Sequence, residues 1–316
     1  MIIYLAKRFF QAILVLVVIS LIGFAVQDSL SPQQAVGAIQ TAQNIEETGF
    51  AERYFHFLSG VVQGDLGTSY FFKEPALEVI LKKMPATLEL MFAAALIVAA
   101  LSVPFGVFTA LYPNHMLSRF ILSASILGLS IPVFVTGILL IYLFSVEWSV
   151  LPSFGRGQIV PIVGYWETNF ASLDGLKHII LPALALASIM LPLFIRLIRA
   201  EMRQVLKSEY VKYARARGLS PFRIYFVHAL KNTLLPVVTV GGIQIGTLVA
   251  YTILAETIFQ WPGMGFMFLE AVNRGDAPLI VAYLMVVGAI FVVINTLVDV
   301  LYGLINPTID MARMGA

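Results

Sequence analysis

Six long stretches of this sequence carry no charged residue, and that pattern constrains the fold more than any other feature. They span residues 9–26, 90–111, 120–146, 179–195, 234–255 and 279–298. A helix needs about 20 mostly apolar residues to cross a bilayer. The fourth stretch is the shortest, and it reaches that length by drawing His178 or Arg196 toward an interface. Composition agrees. Of 316 residues, 59% are hydrophobic and 12% charged, against roughly 25% charged in an average soluble domain. The 20 basic and 18 acidic side chains are too few to cover a soluble protein of this length. The expected fold is therefore an all-α polytopic membrane protein with about six transmembrane helices. The same figures exclude disordered, collagenous and nucleic-acid-binding chains. With no cysteine, disulfides, cysteine-ligated metals and a cysteine nucleophile are excluded as well.

Lys7 and Arg8 before the first stretch resemble the start of a secretory signal. The apolar run is longer than a signal core, however, and Gly23-Phe24-Ala25-Val26-Gln27 is a poor cleavage site. An uncleaved first span, residues 1–27, is expected. Basic residues set the orientation. Lys7, Arg8, Arg119, Arg313 and nine residues from Arg196 to Lys231 fall on one side; Arg53, Lys73, Lys82, Lys83, Arg156, Lys177 and Arg274 fall on the other. Both termini are thus expected in the cytoplasm, with a long first external loop over residues 28–85. Residues 86–310 then form the remaining transmembrane domain. Further external loops are expected at 147–178 and 257–278. No internal repeat or low-complexity run is present, and no appended soluble domain is expected.

One cytoplasmic segment, 200–232, combines dense positive charge with a definite shape. Residues 200–217 contain good helix formers and no Gly or Pro. Gly218 then suits a left-handed C-cap, and Ser220-Pro221 suits the N-cap and first position of a new helix. Phe222, Tyr225, Phe226 and Ala229 give that second, short helix an apolar face. Two readings fit. The basic side chains can anchor the loop to anionic lipid, or the small residues 214–218 can form a knob that docks on another protein.

Catalytic and metal-binding constellations are missing. No Gly is followed by Lys, so there is no phosphate cradle of the Walker type. His56, His115, His178 and His228 stand apart, without metal-ligand spacing. No enzyme activity and no cofactor are expected in this chain. A channel lacks support because no filter-like segment or charge ring occurs. A secondary transporter would show inverted repeats or intramembrane ionisable groups.

The segment Tyr210-Val211-Lys212-Tyr213-Ala214-Arg215-Ala216-Arg217-Gly218-Leu219, with His228-Ala229-Leu230-Lys231-Asn232-Thr233-Leu234-Leu235-Pro236, resembles the EAA region of binding-protein-dependent ABC importer permeases. It is most similar to the dipeptide, oligopeptide and nickel branch. Gly64-Asp65-Leu66-Gly67, Pro85-Ala86-Thr87-Leu88-Glu89-Leu90, Leu127-Gly128-Leu129-Ser130-Ile131-Pro132, and Glu256-Thr257-Ile258-Phe259-Gln260-Trp261-Pro262-Gly263 extend the resemblance over nearly the whole chain. There are departures: Lys212-Tyr213-Ala214 stands where the wider superfamily has Glu-Ala-Ala, and a Pro-Gly-Asp-Pro-like turn after the first span is replaced by Gln27-Asp28-Ser29-Leu30-Ser31-Pro32.

The resemblance implies a permease subunit of an ATP-driven importer in the bacterial inner membrane. It would pair with a second homologous permease, two ABC ATPase subunits holding ATP and Mg, and an extracytoplasmic substrate-binding protein. Di- or oligopeptides are the implied cargo; nickel complexes or another small solute are the alternative. Tyr210, Ala214, Arg217, Gly218, Leu219 and Phe222 are then the expected ATPase-coupling residues. Ser125, Ser130, Thr136, Gln244 and Thr247 are polar enough to line a translocation path. Glu256 is expected to cap the external end of the fifth span and order the loop at Trp261, Pro262 and Gly263, with contact to a substrate amine as the alternative. Asp299 is a candidate to pair with an arginine such as Arg196 or Arg199, since an unpartnered carboxylate at a span border is costly.

Overall fold

The structure, a computed structural model, describes residues 2–30 and 49–305, with side chains described for 10–28 and 49–298. Asp299 as a pairing partner and Arg313 as an orientation signal lie outside those described side chains. Ten α-helices appear in the described residues: α1 (Ile2–Leu30), α2 (Phe50–Val62), α3 (Ala76–Leu111), α4 (Met116–Ser130), α5 (Val133–Ile141), α6 (Leu173–Val205), α7 (Glu209–Ala216), α8 (Leu230–Ile258), α9 (Met264–Arg274) and α10 (Ala277–Ile305). An antiparallel hairpin, β1 (Val160–Val163) and β2 (Trp166–Thr168), decorates the connection between α5 and α6. Five helices are long and apolar enough to cross a membrane, and α4 with α5 supplies a sixth crossing if that bent pair is one span. The fold is that of a polytopic α-helical membrane protein.

Exposure follows the lipid argument. Phe10, Leu14, Val18 and Ile22 recur down one side of α1 and are all exposed, a ridge that water would not tolerate but acyl chains would. The central core forms where α3, α6 and α8 meet, around Leu90, Ala94, Ala183, Leu186, Ala187, Ile198 and Met202. Small residues let these helices approach closely. Gly242 and Gly246 on α8 serve α10 in the same way: a Cβ on either would collide with Val298 or Phe291.

Four boundaries differ from those expected. Helix α3 begins at Ala76, so the boundary at 85/86 falls inside it. Its first turns carry Glu78, Lys82 and Lys83, which read as loop. Ala76, Val79 and Ile80, however, are buried against Met264, Met267 and Leu279. The third apolar stretch is not one helix. Pro132 has no N–H to donate and drives Ile131 into extended backbone, and the two halves meet at 109°. A π-helical stretch, Tyr142–Glu147, then ends the second half.

The charged connection between the fourth and fifth spans is also cut differently. Helix α6 runs without a break from the membrane to Val205, turns at residues 206–208, and restarts as α7 behind Ser208. The helix that follows Ser220 is not a separate short one. It passes through a π-helical stretch, Arg223–Ala229, directly into α8. In that wider turn the buried residues are Ile224 and Ala229, five apart, while Phe222 and Phe226 face outward. The apolar face expected for Phe222, Tyr225, Phe226 and Ala229 is therefore split between inside and outside.

Candidate functional site

Two ends of the bundle concentrate polar chemistry. At the end where α6 passes to α8, residues 206–222 form a compact knob. Gly218 lies in the left-handed region at φ +73°. Its N–H donates to the Arg215 carbonyl at 2.9 Å, and the Leu219 N–H donates to the Ala214 carbonyl at 3.3 Å. That pair of bonds is the Schellman arrangement, which satisfies the last carbonyls of α7. The Ser220 hydroxyl accepts from Arg223 N at 3.4 Å, the bond of an N-cap. Val211, Ala214 and Ile224 are buried together, with Leu219 and Tyr225 packed against them. Two caps and a small apolar cluster thus hold the turn.

The expected coupling residues separate within this knob. Ala214 is buried inside it and Leu219 is half-buried against the same cluster. Gly218 meets nothing within 4 Å of where a Cβ would be, so an added side chain there would point into open space. Tyr210 is exposed and its hydroxyl accepts from Asn232 Nδ2 at 2.8 Å. Phe222 is 70% exposed, and its ring centroid lies 4.8 Å from that of the exposed Phe226. Arg217 is exposed over the Tyr213 ring at 5.7 Å. Tyr213, 64% exposed, was not among the residues expected to act here.

At the opposite end, two connections are clamped to a single turn of α3. The indole N–H of Trp261 donates to the Ala86 carbonyl at 2.9 Å. The Thr87 hydroxyl donates to Glu256 Oε1 at 2.6 Å and accepts from Met264 N at 2.8 Å. The other Glu256 oxygen accepts from Phe266 N at 2.8 Å. Glu256 and Trp261 are both fully buried, and Pro262 is half-buried beside them. Gly263 is buried so close to Glu256 that a Cβ would collide with the carboxylate. Only glycine permits this approach.

A second clamp joins the connection between α5 and α6 to the same turn of α3. Arg156, on the connection between α5 and α6, pairs with Glu89 at 2.9 Å, and both side chains are buried. Arg156 also donates to the Glu167 carbonyl at 2.6 Å, and Asn169 N donates to Glu89 at 3.3 Å. Nearby, Asp276 is buried at the start of α10 and accepts from the Ser69 hydroxyl at 2.5 Å and from Tyr70 N and Phe71 N at 3.2 and 3.1 Å. One signal for Glu89 was available: like Glu256, it is a carboxylate at the border of an apolar stretch, where a partner is demanded.

The five polar residues expected along a path are dispersed. Ser125 is buried and donates to the Ile121 carbonyl of its own helix at 2.7 Å. Ser130 and Thr136 flank the bend at Pro132, the first exposed and the second half-buried, each within 3.5 Å of a carbonyl one turn earlier. On α8 the Thr247 hydroxyl donates to Gln244 Oε1 at 3.0 Å, and both residues are half-buried. Arg196 Nε donates to the Pro192 carbonyl at 3.3 Å.

Known proteins share this sequence over most of its length. Dipeptide transport system permease protein DppB of Escherichia coli (strain K12) is 36% identical over 298 residues, which cover 89% of this chain and 88% of that protein. Di/tripeptide transport system permease protein DppB of Pseudomonas aeruginosa (strain UCBPP-PA14) is 38% identical over 273 residues, 83% and 81% of the two chains. Oligopeptide transport system permease protein AppB of Bacillus subtilis (strain 168) is 32% identical over 319 residues, 97% and 99% of the two chains. Residues 102–311, which include α4–α9, the bend at Pro132, the knob, and Glu256 with Trp261, match the family described as binding-protein-dependent transport system inner membrane component, and the chain belongs to that family.

Proposed function

We propose that this permease subunit is one of a pair that carries di- or oligopeptides inward across the bacterial cytoplasmic membrane, driven by two ABC ATPase subunits. ATP and Mg belong to those partners, and an extracytoplasmic binding protein delivers the cargo. The observation that carries this reading is the knob. Residues 206–222 connect two spans through rigid backbone caps, yet leave Tyr213, Arg217 and Phe222 exposed at its surface. A groove on an ATPase that takes these side chains can move α6 and α8 together. Such a ligand shifts the permease between states only by binding one of them better, so ATP and the loaded binding protein must both favour the same arrangement. Docking accounts for the caps and the exposed aromatics, whereas lipid anchoring accounts only for the charge.

In this reading the knob faces the cytoplasm and the Glu256 and Glu89 clamps face outward, as the basic residues require. Gln244, Thr247, Ser130 and Thr136 are the polar groups available to a path shared with the partner permease. The peptide assignment rests on the three relatives, each of which is named for peptide transport. Its test is purification of the cognate binding protein and identification of the bound solute. Recovery of short peptides supports the assignment, and recovery of a nickel complex or sugar rejects it. Coupling is tested separately with Gly218→Asp. Nothing lies within 4 Å of the added Cβ, and Asp is among the few residues that visit left-handed backbone, so uptake should be lost while the protein remains folded in the membrane. Wild-type uptake would refute the coupling role.

A further inference from the structure

Helix α2 belongs to a connection that reads as an aqueous loop, yet its surroundings are those of a membrane interface. It folds back along α1 rather than away from it. Phe24 of α1 is buried beneath the rings of Phe50, Tyr54 and Phe57, at centroid distances of 5.3, 5.6 and 5.4 Å. Arg53 pairs with Asp28 at 3.1 Å. Tyr54 reaches deeper. Its hydroxyl lies 2.8 Å from Ser20 Oγ and 3.4 Å from the Val17 carbonyl. Ser20 is six residues inside the uncharged stretch 9–26, about 9 Å below its end at 1.5 Å per residue.

The rest of the α2 surface divides in two. Ala51, Phe55, Leu58 and Val62 recur at helical spacing on one flank, and Phe55 and Val62 are 68% and 86% exposed. Glu52, His56, Ser59 and Gln63 recur with the same spacing on the other flank, and all four are exposed. A helix in an aqueous loop has no use for the first flank. One lying between water and acyl chains needs both. The apolar flank also continues a lipid-facing surface already present, because Leu21 and Ile22 are exposed on the outer turns of α1.

We propose that α2 is an interfacial helix, seated in the leaflet at the C-terminal end of α1, with Ala51, Phe55, Leu58 and Val62 against lipid and Glu52, His56, Ser59 and Gln63 toward water. It braces α1, which otherwise packs mainly on α10, and ties the connection to the membrane surface.

The natural absence of cysteine makes the test direct. Phe55→Cys, Val62→Cys, Glu52→Cys and Ser59→Cys are made singly in the full chain. Each is spin-labelled and assembled with cysteine-free partner subunits in lipid nanodiscs. Collision with oxygen, which concentrates in lipid, is compared with collision with a water-soluble nickel chelate. The expected result is a reversal between flanks: oxygen dominates at 55 and 62, and nickel dominates at 52 and 59. Nickel dominance at all four sites would overturn the proposal by placing α2 in water. Protection of 55 and 62 from both probes would overturn it equally, because a protein rather than lipid would then cover that flank.

Discussion

The clamped end of the bundle joins residues 67 to 207 positions apart, whereas the knob is built from one short local segment, and the two use their polar groups in opposite ways. At the clamped end Glu256, Glu89, Arg156, Thr87 and Asp276 are buried, and each bonds another part of the same chain. At the knob the turn is held by local caps, one of them the Ser220 hydroxyl, and Tyr213, Arg217 and Phe222 remain at the surface. The first arrangement makes two connections and α3 move as one body. The second leaves aromatic and basic side chains at the surface, in contact with close sequence neighbours. Stability should therefore depend on the clamp, and communication with partners on the knob.

The sharpest break in this comparison is Glu89→Ala. It strands the buried Arg156 guanidinium, and loss of one partner from a buried pair costs about 3–5 kcal/mol. Thermal unfolding in detergent should show a large fall in midpoint. Glu89→Leu combined with Arg156→Met should recover most of it, since no charge is then left unpaired. If the double variant is as unstable as Glu89→Ala, the ion pair is not what holds the connection. A smaller loss is expected from Thr87→Val, which removes a donor to Glu256 and an acceptor for Met264 N. Leaving those groups unsatisfied costs about 1–3 kcal/mol, measured by the same melt.

At the knob the effects on stability should shrink. Gly218→Val forces a β-branched residue into left-handed backbone at a cost of about 1–2 kcal/mol, with no clash to add to it. A melt as damaged as that of Glu89→Ala would mean that the turn is packed rather than free. Tyr210→Phe removes only the bond from Asn232. In so exposed a place its loss should stay at or below about 1 kcal/mol.

The two ends also differ in how far they could be read from sequence. The knob's turn was legible because its signals are local: Gly218 after a run of helix formers, then Ser220 and Pro221. Glu256 was legible because a carboxylate at the edge of an apolar stretch has to be explained. The Glu89–Arg156 pair was not, because the partners are 67 residues apart and nothing in either neighbourhood names the other. The early start of α3 was hidden for a different reason. Glu78, Lys82 and Lys83 look like loop, while the burial of Val79 and Ile80 comes from α9 and α10, almost two hundred residues later in the chain. The continuous helix through Arg223–Ala229 was missed because a π-helical stretch buries residues five apart, a spacing that 3.6-residue periodicity does not detect.

The central claim, that the exposed surface of the knob transmits ATP-driven movement, is tested most directly by Phe222→Asp in proteoliposomes holding the complete transporter. Phe222 is 70% exposed, so a substitution there should change stability by no more than about 0.5 kcal/mol. ATP-dependent uptake and co-purification of the ATPase subunits should nevertheless be lost while the unfolding midpoint stays that of the unaltered chain. Undiminished uptake with the ATPase still bound would contradict the account.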